Sequence, residues 1–171
     1  MAVPAIKVGV NGAAGRMGQR VVALTLQDDQ LELTAALESA SHPDLGRDAG
    51  ELCGLGTCGV PVTSSLDPSL DVVIDFSTPE GVDAVVHTCE DRRIPLVLAT
   101  TGLSKAQQEL VDSAAQTIPI VMAPSMSLAV NLVMKLVADA ASVLRDNSAG
   151  VDVEIFDRHH RFKEVAPSGT A

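Results

Sequence analysis

The sequence has no tryptophan and no tyrosine, and only three phenylalanines among 171 residues. Alanine and valine instead supply much of its 46% hydrophobic fraction. Positive charge is scarce: 12 Lys and Arg against 22 Asp and Glu leave a net charge of −10. That balance argues against a nucleic-acid surface or an anionic membrane as a partner. No apolar run reaches the roughly 20 residues that span a bilayer. Met1 to Lys7 lead straight into a strand-like segment, without the basic and apolar regions of a secretory signal, so a cytoplasmic protein is expected. Cysteine is also sparse. Cys53, Cys58 and Cys89 are odd in number, and the Cys53–Cys58 spacing is too wide for a CxxC redox or zinc motif. With four histidines, two of them isolated at His42 and His87, no metal site is expected. The length suits one domain with a proper core and part of a second.

What is present centres on the first strand and the turn that ends it. Ile6-Lys7-Val8-Gly9-Val10 is apolar and β-branched, as in a strand buried on both faces. Glycine then recurs at Gly12, Gly15 and Gly18, before a helix over about Arg16–Gln27. Gly12 permits a sharp turn, Gly15 lets backbone N–H groups approach a pyrophosphate, and Gly18 lets the helix pack close to the sheet. The helix N-terminus would then point its free N–H groups and positive dipole end at the phosphates. The spacing is G-x-x-G-x-x-G rather than G-x-G-x-x-G, and a tight turn that binds nothing gives the same letters. Context favours dinucleotide binding, because a second apolar strand, Leu31 to Leu37, ends in Glu38. A carboxylate there accepts hydrogen bonds from the ribose hydroxyls of NADH and repels a 2′-phosphate. NADH is therefore the preferred cofactor, with NADPH as a second through Arg16.

The rest of the chain alternates strands and helices. After a long polar and glycine-containing stretch, read as loop or short helix and as a lid over the adenine, come a strand at Asp71–Phe76 and a helix from Ser77-Thr78-Pro79 with a hydroxyl cap. Pro95–Ala99 is a fourth strand. Ser104 and Gln107 form a capping box for a helix to about Gln116. Ile118–Met122 is a fifth strand, Ser127 caps a long helix to about Leu144, and Val151–Phe156 reads as a sixth strand. This pattern predicts an α/β fold, a doubly wound, Rossmann-like parallel sheet with helices on both faces. Ligands in such sheets sit beyond the carboxyl ends of the strands, at Gly12–Met17, Glu38, Ser77–Pro79, Ala99–Gly102 and Ala123–Met126.

Near the end, Arg158-His159-His160-Arg161-Phe162-Lys163 puts five basic or titratable groups in six positions of an acidic chain. Ala166-Pro167-Ser168-Gly169-Thr170-Ala171 follows, a loop-to-helix sequence whose hydroxyls and N–H groups suit a carboxylate or phosphate. The His pair and Lys offer proton donors beside that anion site. A solvated basic surface run is the plainer alternative. Taken with Val10-Asn11-Gly12-Ala13-Ala14-Gly15-Arg16-Met17-Gly18, Ile74-Asp75-Phe76-Ser77, Thr100-Thr101-Gly102 and Asn131, this stretch resembles the signature of the 4-hydroxy-tetrahydrodipicolinate reductase family, also called dihydrodipicolinate reductase. The resemblance runs over the whole chain.

The resemblance implies an NAD(P)H-dependent oxidoreductase of lysine and diaminopimelate biosynthesis acting on a small dicarboxylate. It places Gly12, Ala13, Ala14, Gly15, Arg16 and Met17 at the pyrophosphate and Glu38 at the adenosine ribose. Ala99, Thr100, Thr101, Ala123, Pro124, Ser125 and Met126 would lie at the nicotinamide half. His159 and Lys163 would be proton donors, and His160, Gly169 and Thr170 would bind substrate carboxylates. It divides the chain into a cofactor domain, 1–126, and the start of an α+β substrate domain, 127–171, cut off at Ala171, with a homotetramer expected for a chain of full family length. Val165 and Ser125 stand where the family usually has Asp and Asn. Another two-domain dehydrogenase, or a non-catalytic nucleotide-binding module on the same sheet, are the alternatives. The module would need no basic cluster. The isolated 171-residue chain is expected to bind cofactor but to turn over little; steady NADH oxidation with the dipicolinate precursor would contradict this.

Overall fold

In a computed structural model, the structure describes residues 4–66, 69–123, 125–146, 148–159 and 161. The chain divides into two compact units, Met1–Met122 and Ala123–Ala171. The first unit holds β1 (Ile6–Asn11), α1 (Arg16–Gln27), β2 (Leu31–Leu37), α2 (Ala49–Leu52), β3 (Val62–Thr63), β4 (Val72–Asp75), α3 (Pro79–Arg92), β5 (Leu96–Leu98), α4 (Lys105–Ala114) and β6 (Ile120–Met122). The six strands form one sheet in the order β3-β2-β1-β4-β5-β6, and each ladder is parallel. The fold is the expected α/β, Rossmann-like sheet. Its strand order reverses direction between β1 and β4, where such sheets open a crevice at their carboxyl edge.

Two cores, one on each face, account for the near-continuous apolar strands. Val8, Val10, Leu33 and Ala36 pack with Val22 of α1 and Ala49 of α2. Ala35, Leu37, Val73, Leu96 and Leu98 pack with Val82, Val85, Val86 and Cys89 of α3 and Val111 and Ala114 of α4. Strict alternation would put Leu33 and Ala35 on one face. The β1–β2 register shifts between Val8 and Gly9, so that Val8 pairs with Leu33 but Gly9 with Ala35. This irregularity passes over Thr34 and moves the following side chains to the opposite faces. With no large aromatic to fill it, each core is closed by short β-branched side chains and alanine against close-set backbones.

The turn after β1 shows why glycine is needed. Gly12 has φ +76°, and a Cβ there would meet the Phe76 carbonyl oxygen at 2.6 Å. At Gly18 a Cβ would come within 2.7 Å of the Gly12 carbonyl carbon and 2.8 Å of Ala13 Cα. Gly18 was expected to bring α1 against the sheet; it instead seats the helix on its own entry turn.

Three other expectations are corrected. Val151–Phe156 is not a strand: residues 151–156 carry no regular secondary structure, are exposed, and pair with no other strand among the described residues. A strand is stabilised through its ladder, and apolar, β-branched composition alone supplies no partner. The sixth strand of the sheet is β3, a two-residue edge strand within the long polar stretch. Thr78 makes no side-chain cap to α3, although Pro79 is in the first turn as expected. Its hydroxyl bonds Glu80 instead and, as the main influence, holds that carboxyl below its usual range. The capping box of Ser104 with Gln107 is present.

The Glu38–Pro61 stretch is ordered by one carboxylate. Asp48 accepts from the N–H groups of Gly50, Glu51, Cys58 and Gly59 at 2.8–3.2 Å. These bonds, the Cys58 N–H first among them, bring its pKa down to about 2 against a smaller opposing effect of burial. The second unit is built on α5 (Leu128–Leu144), capped by Ser127 Oγ, which accepts from the Val130 N–H. Among the described residues, no helix is long and apolar enough to cross a membrane.

Gly18→Ala is expected to lower the unfolding free energy by about 1–3 kcal/mol, the range of overpacked sites. Gly15→Ala should cost less, since its Cβ would meet only the Gly12 carbonyl oxygen at 3.2 Å. Denaturant unfolding of both variants checks the order; equal losses would show that α1 is not seated by Gly18.

Candidate functional site

At the carboxyl edge of the sheet, two clefts of the first unit meet at Phe76, Ser77 and Thr78. The larger, of about 860 Å³, is lined by Gly12, Gly15, Glu38, Ser39, His42 and Ser64 among others. The smaller, of about 360 Å³, is lined by Arg16, Met17, Pro79, Ala99, Thr100 and Thr101. The sequence-derived cofactor residues of this unit therefore fall along one continuous edge, with α1 beginning between them. The polar stretch after Glu38 contributes walls of the larger cleft.

The glycine-rich turn leaves donors at this edge. The N–H groups of Gly12 and Ala13 both reach the Leu37 carbonyl, at 2.9 and 3.0 Å, and that of Gly15 reaches the Gly12 carbonyl at 3.1 Å. Gly15 is the N-cap of α1 and provides no side-chain cap. The first-turn N–H groups of Arg16, Met17 and Gly18 have no intrahelical acceptor by geometry. A twelve-residue helix thus presents its uncapped positive end to the clefts. Glu38, at the end of β2, is drawn to this turn. Its Oε1 accepts from the Ala14 N–H at 3.0 Å and its Oε2 from the Ser39 N–H at 3.3 Å. The carboxylate is half-buried at the rim of the larger cleft, where it can face neutral hydroxyl donors but not a phosphate. These donors and this carboxylate fit the pyrophosphate and ribose of a dinucleotide.

Sequence reasoning did not single out the hub behind the smaller cleft. Asp75, fully buried at the end of β4, accepts from Asn11 Nδ2 at 2.6 Å, Ser77 Oγ at 2.7 Å and Thr100 Oγ1 at 2.5 Å. The ends of β1, β4 and β5 are thereby joined through one carboxylate. The signal was an acid closing the apolar run Val72-Val73-Ile74. Cys89 lies nearby on α3. Burial, reinforced by the Asp75 charge, pushes its thiol up to about 12, so it is no nucleophile at neutral pH.

In the second unit, Asn131 Nδ2 donates to the carbonyls of Ser125 and Ser127 at 2.8 and 2.9 Å, fixing the loop that carries Ser125 and Met126. Ser125 Oγ accepts from the Ser127 N–H at 3.2 Å. Ala123, Ser125 and Met126 belong to this unit, whereas Ala99, Thr100 and Thr101 belong to the first. His159 Nε2 lies 2.7 Å from Asp157 Oδ1, a partner that sequence reasoning missed. Pro124, His160, Lys163, Gly169 and Thr170 lie outside the described residues. Among the described residues, no cluster of three His, Cys, Asp or Glu side chains is placed to hold a metal ion.

Two family models match the chain: dihydrodipicolinate reductase, N-terminus, over residues 6–126, and dihydrodipicolinate reductase, C-terminus, over residues 129–171. The chain belongs to the dihydrodipicolinate reductase family. Among curated relatives, it is 49% identical to the 4-hydroxy-tetrahydrodipicolinate reductase of Rhodopirellula baltica, covering 97% of this chain and 61% of that protein. It is 46% identical to the reductase of the same name from Methylococcus capsulatus, covering 97% and 62%. The chain thus spans about three-fifths of the length of these members of the dihydrodipicolinate reductase family. A solved structure, dipicolinate-bound dihydrodipicolinate reductase from Paenisporosarcina sp. TG-14, superposes with a TM-score of 0.74 at 29% identity, over 97% of this chain and 62% of that one. A myo-inositol 2-dehydrogenase from Lactobacillus plantarum, with a TM-score of 0.58 at 12% identity over 81% of this chain and 42% of that one, shares the fold alone.

Proposed function

We propose that this chain is the cofactor-binding part, with the start of the substrate-binding part, of an NAD(P)H-dependent 4-hydroxy-tetrahydrodipicolinate reductase, which forms tetrahydrodipicolinate on the way to diaminopimelate and lysine. The observation that carries the reading is the uncapped start of α1 beside Glu38 at the switch point of the sheet, in a chain of this family. Residues 1–126 form the cofactor domain and 127–171 the beginning of the substrate domain. The turn from Gly12 to Met17, with Ala13, Ala14 and Gly15 between them, cradles the pyrophosphate, and the N–H groups of Arg16 and Met17 at the uncapped start of α1 are its donors. Glu38 leaves the Ala14 N–H to accept from the ribose hydroxyls. Ala99, Thr100 and Thr101, together with Ala123, Pro124, Ser125 and Met126, bound the nicotinamide half. The reduced nicotinamide, when bound, supplies the hydride. His159 and Lys163 supply the proton, and His160, Gly169 and Thr170 hold the dicarboxylate. Asp157 holds the His159 ring through Nε2, so Nδ1 is the atom left to hand over a proton. The cationic cluster offsets the charge of the substrate and the charge that develops as it is reduced. A homotetramer and a cytoplasmic location complete the reading for a protein of full family length.

NADH is the preferred cofactor, with NADPH as a second. The half-buried Glu38 carboxylate disfavours a 2′-phosphate, while Arg16, the first residue of α1, is the cation that would pair with one. Glu38→Ser should weaken NADH binding about tenfold, the worth of a charge-assisted hydrogen bond, and should raise NADPH affinity relative to NADH. Calorimetry with both nucleotides checks this. Unchanged affinities would remove Glu38 from the ribose site.

A further inference from the structure

The Asp75 hub bears on which ring substituent the smaller cleft accepts, an inference that rests on the nucleotide reading above. A carboxylate has no hydrogen to give. Asn11, Ser77 and Thr100 must therefore all donate to Asp75, and the hydroxyl hydrogens of Ser77 and Thr100 turn inward. Both residues line the smaller cleft. A free hydroxyl rotates to donate or accept as its partner requires. These two are pinned, so what they offer outward is lone pairs. Ser77 Oγ also lies 3.4 Å from the Thr78 carbonyl, a second acceptor for the same hydrogen. Thr100, 8% exposed, is the group Asp75 fixes most firmly.

We propose that Asp75 is a specificity-determining positioning residue: by holding Thr100 and Ser77 as acceptors, it makes the cleft select a nicotinamide carboxamide over a nicotinic acid carboxylate. The carboxamide NH₂ donates to the outward lone pairs. The carboxylate only accepts, leaves those lone pairs facing its own, and sits near a buried like charge. Both effects act in one direction, and a site built for a donor rejects the analogue that lacks it. Replacing Asp75 by Asn puts an NH₂ group in the hub. When that group faces Thr100 it becomes the donor, and the Thr100 hydroxyl is freed to point its hydrogen outward.

The test is calorimetric titration of the 171-residue chain with NAD⁺, nicotinic acid adenine dinucleotide and ADP-ribose. The native chain should bind NAD⁺ at least about tenfold more tightly than the acid analogue, the effect of one mispaired buried group. Asp75→Asn should bring that ratio near unity while leaving ADP-ribose affinity unchanged, which a general loss of structure would not do. Should Asp75→Asn fail to fold, Thr100→Val should lower the same ratio and Thr100→Ser should restore it. Equal affinities for NAD⁺ and the acid analogue in the native chain would overturn the proposal. So would a native ratio that survives in Thr100→Val. If ADP-ribose fails to bind the native chain, the nucleotide reading itself falls, and the proposal with it.

Discussion

The carbonyl of Gly12 lies where a side chain of residue 18 would otherwise be, and its α-carbon is closed in by the backbone of Phe76. This contact between the β1–α1 turn, the first turn of α1 and the end of β4 determines where the helix begins. Because α1 begins there, its uncapped N–H groups face the crevice at the switch point rather than solvent beyond it. Because the turn stands so close to β4, Asn11 and Asp75 come within hydrogen-bond distance. The crevice at the carboxyl edge is thus a consequence of packing three backbones more closely than any residue with a Cβ allows.

The same closeness fixes the electrostatics. A buried carboxylate is costly unless its lone pairs are used. Asp75 uses them on three donors, drawn from the ends of β1 and β5 and from the residue two beyond itself. Glu38 makes the complementary arrangement at the surface, where its charge rests against the N–H of Ala14 at the positive end of α1. One acid is locked and sets the polarity of its neighbours. The other sits at the rim, where a ligand with hydroxyl donors can take over its hydrogen bonds.

The sheet was legible because each strand except one carries its own apolar, β-branched run closed by a turn residue. The short β3 was not, since Val62 and Thr63 have no pattern of their own and become a strand only through Ala36 and Leu37. Val151–Phe156 shows the converse: strand-like composition without a ladder. The glycines were read correctly as a turn, but the partner of Gly18 was misread, because spacing tells which positions lack a Cβ and not what fills the space. Glu38 was marked by its place at the end of the second strand, whereas its bond to the Ala14 N–H, 24 residues away, left no sign in the sequence. Asp75 was visible as a letter and not as a hub, since its partners Asn11 and Thr100 lie 64 and 25 residues away. The Asp157 contact of His159 spans two residues outside any helix or strand, and no periodicity marks it.

The central claim is that the start of α1, Glu38 and the Asp75-bound threonine form one dinucleotide site. Amide NMR spectra of the chain titrated with NADH test it most directly. The account predicts shifts concentrated at Gly12, Ala14, Gly15, Arg16, Met17, Glu38, Thr100 and Thr101. Saturable shifts confined to another face, such as the exposed side of α4, or a spectrum that NADH leaves unchanged, would contradict it.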